Sequence, residues 1–198
     1  VRELIRQMPH EDVVYFGDLA RLPYGTKSKK QIIEFSEKNV RFLLKQKVKA
    51  IIVACNSSAS SAAAHLRKKF LVPIIDVMEP AVCEAVERTS TRRIAVLGTT
   101  ATIESGMYQK RIHSLAPDIE VFGQNCPLFV PLVEEGWLHE SVTVDIARTY
   151  LRRIQQHNVD VIILGCTHYP LLKHVIREVV GRDVCLVESA PRTIATLQ

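Results

Sequence analysis

The sequence lacks any long apolar run. No stretch of 18 or more consecutive apolar residues occurs among its 198 residues, which argues against a membrane-spanning helix. No signal peptide is visible either, although the chain begins at Val1 and not at methionine. We therefore expect no membrane partner.

The cysteines lack the spacings that mark metal sites or redox pairs. Five are present, with no CxxC motif: Cys55, Cys83, Cys126, Cys166 and Cys185. An odd number of cysteines, spread over a chain long enough to bury a full core, argues against a secreted disulfide scaffold. The pattern predicts a cytoplasmic protein without a bound metal.

The chain also lacks a basic tail and any helix-turn-helix or RNA-binding signature. Its net charge of +5 comes from small lysine and arginine clusters that are typical of solvated helix faces. We expect no nucleic-acid partner, whereas a small anionic substrate would suit the positive charge.

Strand and helix patterns alternate along the chain, which predicts an α/β fold with parallel sheets and right-handed crossovers. Predicted strands lie at residues 13–16, 50–53, 73–77, 93–97, 119–122, 161–164 and 184–187. Predicted helices lie at residues 29–45, 58–70, 103–115, 142–157 and 171–180, the first of them capped by Ser28. Glu79-Pro80 is expected to break the third of these strands.

Two of these segments look like copies of each other. Residues 48–56 and 159–167 are aliphatic runs that end in a small residue, a cysteine and a short polar side chain. Such runs are typical of buried parallel strands, and ligands bind beyond the carboxyl ends of parallel strands. The pattern predicts two equivalent thiols, Cys55 and Cys166, that act on two faces of one substrate atom.

Each of these thiols lies where a strand is expected to turn into a helix. The free N–H groups and positive dipole end of a helix start bind carboxylates, and they lower a thiol pKa. Asn56 follows the first thiol, while Thr167 and His168 follow the second. His168 is close enough in sequence to exchange a proton with Cys166.

Other interpretations of these residues remain open. A cysteine at the end of a strand can simply be a small packed hydrophobe, which is what we expect of Cys83, Cys126 and Cys185. Cys166 and His168 alone would suit a hydrolytic nucleophile, but that leaves Cys55 without a role. The loop at residues 98–100 could bind phosphate, but the indication is weak because it has one glycine and no following lysine.

Four longer motifs, in order along the chain, resemble those of glutamate racemase, in the aspartate/glutamate racemase family. They are residues 17–25, 54–60, 126–132 and 165–172. The resemblance implies two pseudo-symmetric, doubly wound domains with parallel sheets and an active site in the cleft between them. It also implies cofactor-independent interconversion of L- and D-glutamate, which supplies D-glutamate for peptidoglycan.

The resemblance also assigns roles to particular residues. One of the thiols Cys55 and Cys166 removes the α-proton of glutamate and the other returns a proton to the opposite face, with His168 and Glu134 assisting Cys166. The substrate-binding residues that the resemblance implies are Tyr24, Gly25, Asn56, Ser57, Thr99, Thr102 and Thr167.

The chain departs from the family pattern at both ends. It has no opening strand with the family's Asp-Ser-Gly motif, and it stops soon after its last strand. We expect residues 1–80 to form a first domain without that strand and without its C-terminal return. Residues 81–190 would form the second domain, and residues 191–198 would begin the return. Ser57 stands where the family more often has threonine.

Two further hypotheses remain open at this point. The chain could be a shortened, non-catalytic paralogue that binds glutamate or a protein such as DNA gyrase. It could also be an aspartate racemase, because no single residue in the sequence measures the length of the substrate side chain. The resemblance is compatible with a homodimer as well.

Overall fold

Two parallel β-sheets form the framework of the chain in the computed structural model, which describes residues 1–197. The first sheet contains β1 (Ile51–Val53) and β2 (Ile74–Asp76). The second has the order β4-β3-β5-β6 and contains β3 (Arg93–Gly98), β4 (Glu120–Asn125), β5 (Val161–Gly165) and β6 (Cys185–Glu188). The predicted α/β class with parallel sheets is confirmed.

Helices connect the strands throughout. The earlier ones are α1 (Arg2–Gln7), α2 (Lys29–Leu44), α3 (Asn56–Lys69), α4 (Met78–Arg88), α5 (Thr100–Glu104) and α6 (Met107–Leu115). The later ones are α7 (Phe129–Glu134), α8 (Ser141–Gln155), α9 (Lys173–Val180) and α10 (Ser189–Ala195). No helix within residues 1–197 has both the length and the apolar character needed to cross a bilayer.

Strand register brings the two cysteine turns to corresponding positions. Ile51 pairs with Ile74 in the first sheet, and Gly98 pairs with Gly165 in the second. Parallel strands end at the same edge of their sheet. Cys55 therefore follows the carboxyl end of β1, and Cys166 follows that of β5.

The second sheet is covered by helices on both faces, as expected for a parallel sheet. One face packs on α8 and α9 through a core that includes Leu97, Leu151, Ile162, Leu164 and Ile176. The other packs on α4 and α6 through a core that includes Ala81, Ile94, Val96, Ile112 and Ile163. The alternation along β5 leaves no solvent-exposed residue in that strand.

Several sequence predictions of local structure hold, and others are wrong. Ser28 does cap α2, because its hydroxyl accepts from the Gln31 N–H while the Gln31 side chain accepts from the Ser28 N–H. Residues 13–16 are not a strand: their side chains are exposed and no described strand pairs with them. The predicted helix 103–115 is two helices, because Gly106 adopts a left-handed φ of 64° between them.

The sequence predicts that Glu79-Pro80 ends the third strand. In the structure β2 ends at Asp76, before this pair, and Pro80 lies in the first turn of α4. Proline is tolerated there because the N–H it lacks would have no partner within the helix. The proposed boundary between residues 80 and 81 lies inside this helix. At the other end of the chain α10 packs on α4 and α1, and the Gln7 side chain donates to the Pro191 carbonyl at 3.1 Å.

A buried ion pair connects the two sheets. Asp76, at the end of β2, is 1% exposed and accepts two hydrogen bonds of 2.8 Å from Arg111 on α6. Arg67 donates to the same carboxylate at 2.6 Å, and the Met78 N–H donates at 2.8 Å. Burial alone would raise the pKa of Asp76, but these donors outweigh it and lower the pKa to about 2.

We expect Asp76→Asn to destabilise the fold at neutral pH by about 3 kcal/mol, because Arg111 would lose its buried counter-charge and keep only the exposed Glu79, 3.3 Å away. The free energy of unfolding, measured in urea, tests this. Asp118→Asn is the matched control, since Asp118 pairs with Arg92 on the surface. That variant should keep the wild-type unfolding midpoint.

The same pair predicts how stability depends on pH. Because the folded-state pKa of Asp76 is lowered, its contribution is fully present above about pH 4 and is lost as the pH falls toward 2. Over this interval the wild type should lose on the order of 2 kcal/mol more than Asp76→Asn does. Parallel losses in the two proteins would contradict this account.

Candidate active site

Cys55 lies in the turn between β1 and α3. It occupies the position before the first helical residue, with extended backbone, and its carbonyl accepts from the Ala59 N–H at 2.8 Å. The side chain is half-buried and belongs to no disulfide. The N–H groups of the first turn of α3 have no partner within the helix, so they can bind an anion beside the thiol.

Cys166 directly follows β5 and is 7% exposed. Its carbonyl accepts from the Tyr169 N–H at 3.2 Å, which starts a 3₁₀ turn over Tyr169–Leu172. Burial raises the pKa of this thiol to about 12, although the His168 and Tyr169 N–H groups and Thr167 oppose the rise. The prediction of a lowered pKa is thus wrong for Cys166, because desolvation outweighs the short turn.

His168 and Glu134 form a polar chain that ends at this thiol. His168 Nδ1 lies 3.8 Å from Cys166 Sγ and 3.3 Å from the Thr167 hydroxyl oxygen. Its other nitrogen, Nε2, contacts the carboxylate of Glu134, the last residue of α7. Because Glu134 holds one ring nitrogen, the other faces the sulfur, in a position to take or return its proton.

Three hydroxyl groups meet where α3, beside the first sheet, approaches the start of α5, which follows β3. We call Ser57, Thr99 and Thr102 the hydroxyl cluster. The Ser57 oxygen lies 2.9 Å from that of Thr99 and 3.4 Å from that of Thr102, while the two threonine oxygens are 3.1 Å apart. All three residues are buried, so the cluster is a compact polar wall near Cys55.

Tyr24 and Gly25 lie in a 3₁₀ turn against this wall. A Cβ atom on Gly25 would lie only 2.5 Å from Thr99 Cβ, so the close approach requires glycine. The Tyr24 hydroxyl donates to Asp18 at 2.5 Å and accepts from Asn39 at 3.1 Å. Neither Asp18 nor Asn39 was expected at the site, although Asp18 lies within the motif at residues 17–25.

Asn56, the first residue of α3, is 2% exposed. Its side-chain oxygen accepts from the Tyr108 hydroxyl at 2.7 Å, and its side-chain nitrogen is buried without a partner among residues 1–197. Sequence reasoning missed Tyr108, which lies in α6 far along the chain. No motif marks it, because its role depends on a contact made only in the fold.

The two thiols share one region of the structure. They are close enough that a negative charge on Cys55 would raise the pKa of Cys166. Within residues 1–197, no three His, Cys, Asp or Glu side chains converge in a way that would hold a metal ion. The arrangement therefore offers two thiols, a histidine–carboxylate pair and a buried amide with a free donor, which suits acid–base chemistry on a small anion.

Comparison with known proteins agrees with this geometry. The sequence model of the Asp/Glu/Hydantoin racemase family matches residues 1–196. Glutamate racemase of Geobacter metallireducens is 44% identical over 193 residues, which cover 98% of this chain and 72% of the relative. The chain therefore belongs to the Asp/Glu/hydantoin racemase family.

Solved structures place it more narrowly within that family. Glutamate racemase isoform RacE1 from Bacillus anthracis matches with a TM-score of 0.96 at 36% identity, over 99% of this chain and 74% of that one. The enzyme from Francisella tularensis, in complex with D-glutamate, matches with a TM-score of 0.93 at 37% identity, over 99% and 73%. In both sequence and structure the chain is similar to glutamate racemases.

We expect Gly25→Ala to destabilise the protein by roughly 1–3 kcal/mol, because the new methyl group overlaps Thr99 and the turn must move. Thermal unfolding tests this. Gly17→Ala is the matched control, since the three atoms nearest to its Cβ all belong to the Tyr15 side chain, the hydroxyl oxygen at 3.2 Å, and that exposed side chain can shift. Equal midpoints for the two variants would refute the packing argument.

Proposed function

We propose that this protein interconverts L- and D-glutamate by moving a proton between the substrate α-carbon and two thiols, without a cofactor. The observation that carries the proposal is the pair of cysteine turns: Cys55 and Cys166 follow the carboxyl ends of corresponding strands in the two sheets. The similarity to glutamate racemases supports the choice of substrate.

Inversion at the α-carbon requires two proton carriers, one on each face of that carbon. Removal of the α-proton leaves a planar carbanion, and inversion requires the new proton to arrive from the face opposite the one it left. A single base would return its proton to the same face. Acid and base must both lie within hydrogen-bond reach of the α-carbon, so they must belong to facing walls of one site.

The first turn of α3 and the hydroxyl cluster would hold the substrate. The free N–H groups of this first turn and the unpartnered Asn56 Nδ2 would donate to the α-carboxylate of the substrate. Binding the carboxylate there also stabilises the carbanion electrostatically. Ser57, Thr99 and Thr102 supply hydroxyl groups nearby, and Thr167 adds an exposed one after Cys166. Tyr24 and Gly25 close this side of the site.

The raised pKa of Cys166 keeps it protonated at rest, ready to act as the acid. When Cys55, as thiolate, takes the α-proton, the Cys166 S–H bond breaks and its proton goes to the other face of the carbon. The new thiolate lies in a buried site, where the backbone N–H groups of His168 and Tyr169 stabilise it. In the reverse direction the thiols exchange roles. His168 Nδ1 takes the Cys166 proton, with Glu134 stabilising the imidazolium, and Cys55 takes up a proton from water. The Cys166 thiolate then removes the α-proton, the Cys55 S–H bond breaks to protonate the other face, and the imidazolium releases its proton to water.

We further infer that the D-glutamate supplies peptidoglycan in a reducing cytoplasm, where five free cysteines are stable. Formation of a homodimer and the absence of a nucleic-acid partner stay predictions.

Racemisation of L-glutamate, followed by loss of circular dichroism without added cofactor, should disappear in both Cys55→Ala and Cys166→Ala. Each variant lacks one of the two proton carriers. Cys83→Ala is the matched control and should keep the wild-type rate, because Cys83 lies in α4 and contributes no group to the site. In D₂O the D-glutamate formed first should carry deuterium at the α-carbon.

A folded wild type that leaves L-glutamate unchanged would overturn the proposal in favour of a binding protein. L-Aspartate consumed faster than L-glutamate would instead indicate an aspartate racemase. If the first D-glutamate retained the original hydrogen, one base would be sufficient and the two-thiol mechanism would be wrong.

We expect Glu134→Gln to lower kcat/KM about tenfold, because His168 loses the carboxylate that stabilises its protonated form. The decrease must be equal for both enantiomers, since they have the same free energy in water and their equilibrium is fixed. Initial rates in each direction measure it. Glu135→Gln, at the adjacent exposed position, is the matched control and should behave like the wild type.

A further inference from the structure

Tyr108 connects the two halves of the site. It lies in α6, beside the second sheet, and is 3% exposed. Its hydroxyl group donates to Asn56 Oδ1 at 2.7 Å, and Asn56 follows Cys55 directly. Burial raises the pKa of this hydroxyl above its ordinary value, so it stays protonated and can donate throughout the working pH range.

The ring of Tyr108 also packs beside the residue that precedes the other thiol. A Cβ atom on Gly165, the residue before Cys166, would lie 3.2 Å from Tyr108 Cε2 and 2.7 Å from the Leu97 carbonyl oxygen. The absence of a side chain at Gly165 thus allows the ring to lie against the backbone that leads to Cys166. One side chain therefore contacts both cysteine turns.

The position of the ring is itself fixed. Arg111 lies about one turn further along α6, where it makes the paired hydrogen bonds to buried Asp76 at the end of β2. Rotation of α6 would break this ion pair as well as the contact with Asn56. The hydroxyl of Tyr108 is therefore held in a defined direction relative to α3.

We propose that Tyr108 is a positioning residue that orients the Asn56 carboxamide so that its Nδ2 donates to the substrate carboxylate. A carboxamide carries its oxygen and nitrogen on opposite sides, and a donor on the oxygen directs the nitrogen away from Tyr108. That nitrogen is buried and has no partner among residues 1–197, which leaves it free for a ligand. The inference rests on the proposed function.

Tyr108→Phe tests this, because it removes the hydroxyl and keeps the ring. We expect KM to rise about tenfold for both enantiomers, with a smaller change in kcat, as for the loss of one hydrogen-bonded binding contact. In an Asn56→Ala background the same substitution should have no further effect, because Tyr108 acts through Asn56. Tyr150→Phe, which loses a hydroxyl that accepts from the Leu128 N–H, should keep the wild-type KM.

Additive effects of Tyr108→Phe and Asn56→Ala would overturn the inference, as would an unchanged KM in Tyr108→Phe. Asn56→Asp gives a second test that leaves Tyr108 intact. One carboxylate oxygen would accept from Tyr108 and the other would repel the substrate carboxylate, so KM should rise more than in Asn56→Ala. A KM below that of Asn56→Ala would show that the group facing the substrate is an acceptor.

A measurement without turnover separates this inference from the proposed function. The side-chain amide resonances of Asn56 in ¹⁵N NMR should shift in Tyr108→Phe relative to the wild type, even without glutamate. Unchanged resonances would overturn the orienting contact. A wild type without racemase activity but with this shift would refute the proposed function and leave the contact between Tyr108 and Asn56 standing.

Discussion

The buried ion pair between Arg111 and Asp76 determines how the two sheets meet. Asp76 ends a strand of the first sheet, and Arg111 belongs to a helix on the second. A desolvated carboxylate is tolerable only with its donors in place, so the two surfaces can join in few ways. The hydroxyl cluster and the contact from Tyr108 to Asn56 cross the same junction, and both depend on its geometry.

The two cysteine turns correspond in topology but differ in surroundings. Cys55 is half-buried before a full α-helix, whereas Cys166 is almost completely buried before a short 3₁₀ turn and has a histidine beside it. The similar sequences of residues 48–56 and 159–167 account for the common topology. The difference in surroundings arises from packing, because each turn is covered by different elements of the chain.

Sequence reasoning predicted the strands that carry the thiols, the Ser28 cap and the α/β class, because each leaves a local pattern. It missed α4, since Pro80 suggests a break to any local analysis and a first-turn proline costs a helix little. It predicted the wrong direction for the pKa of Cys166, because desolvation depends on how much of the fold covers a group. It also missed Tyr108, because the residues that Tyr108 contacts lie far away along the chain.

The first sheet contains only two short strands among the residues described. An isolated pair of strands is marginally stable in water and needs another layer to pack against. Part of that layer comes from the second half of the chain, which α3 contacts through Ser57 and Asn56 and which β2 contacts through Asp76. The smaller sheet therefore depends on the larger one for its stability. We expect the surroundings of Cys55 to form only after the larger sheet has folded.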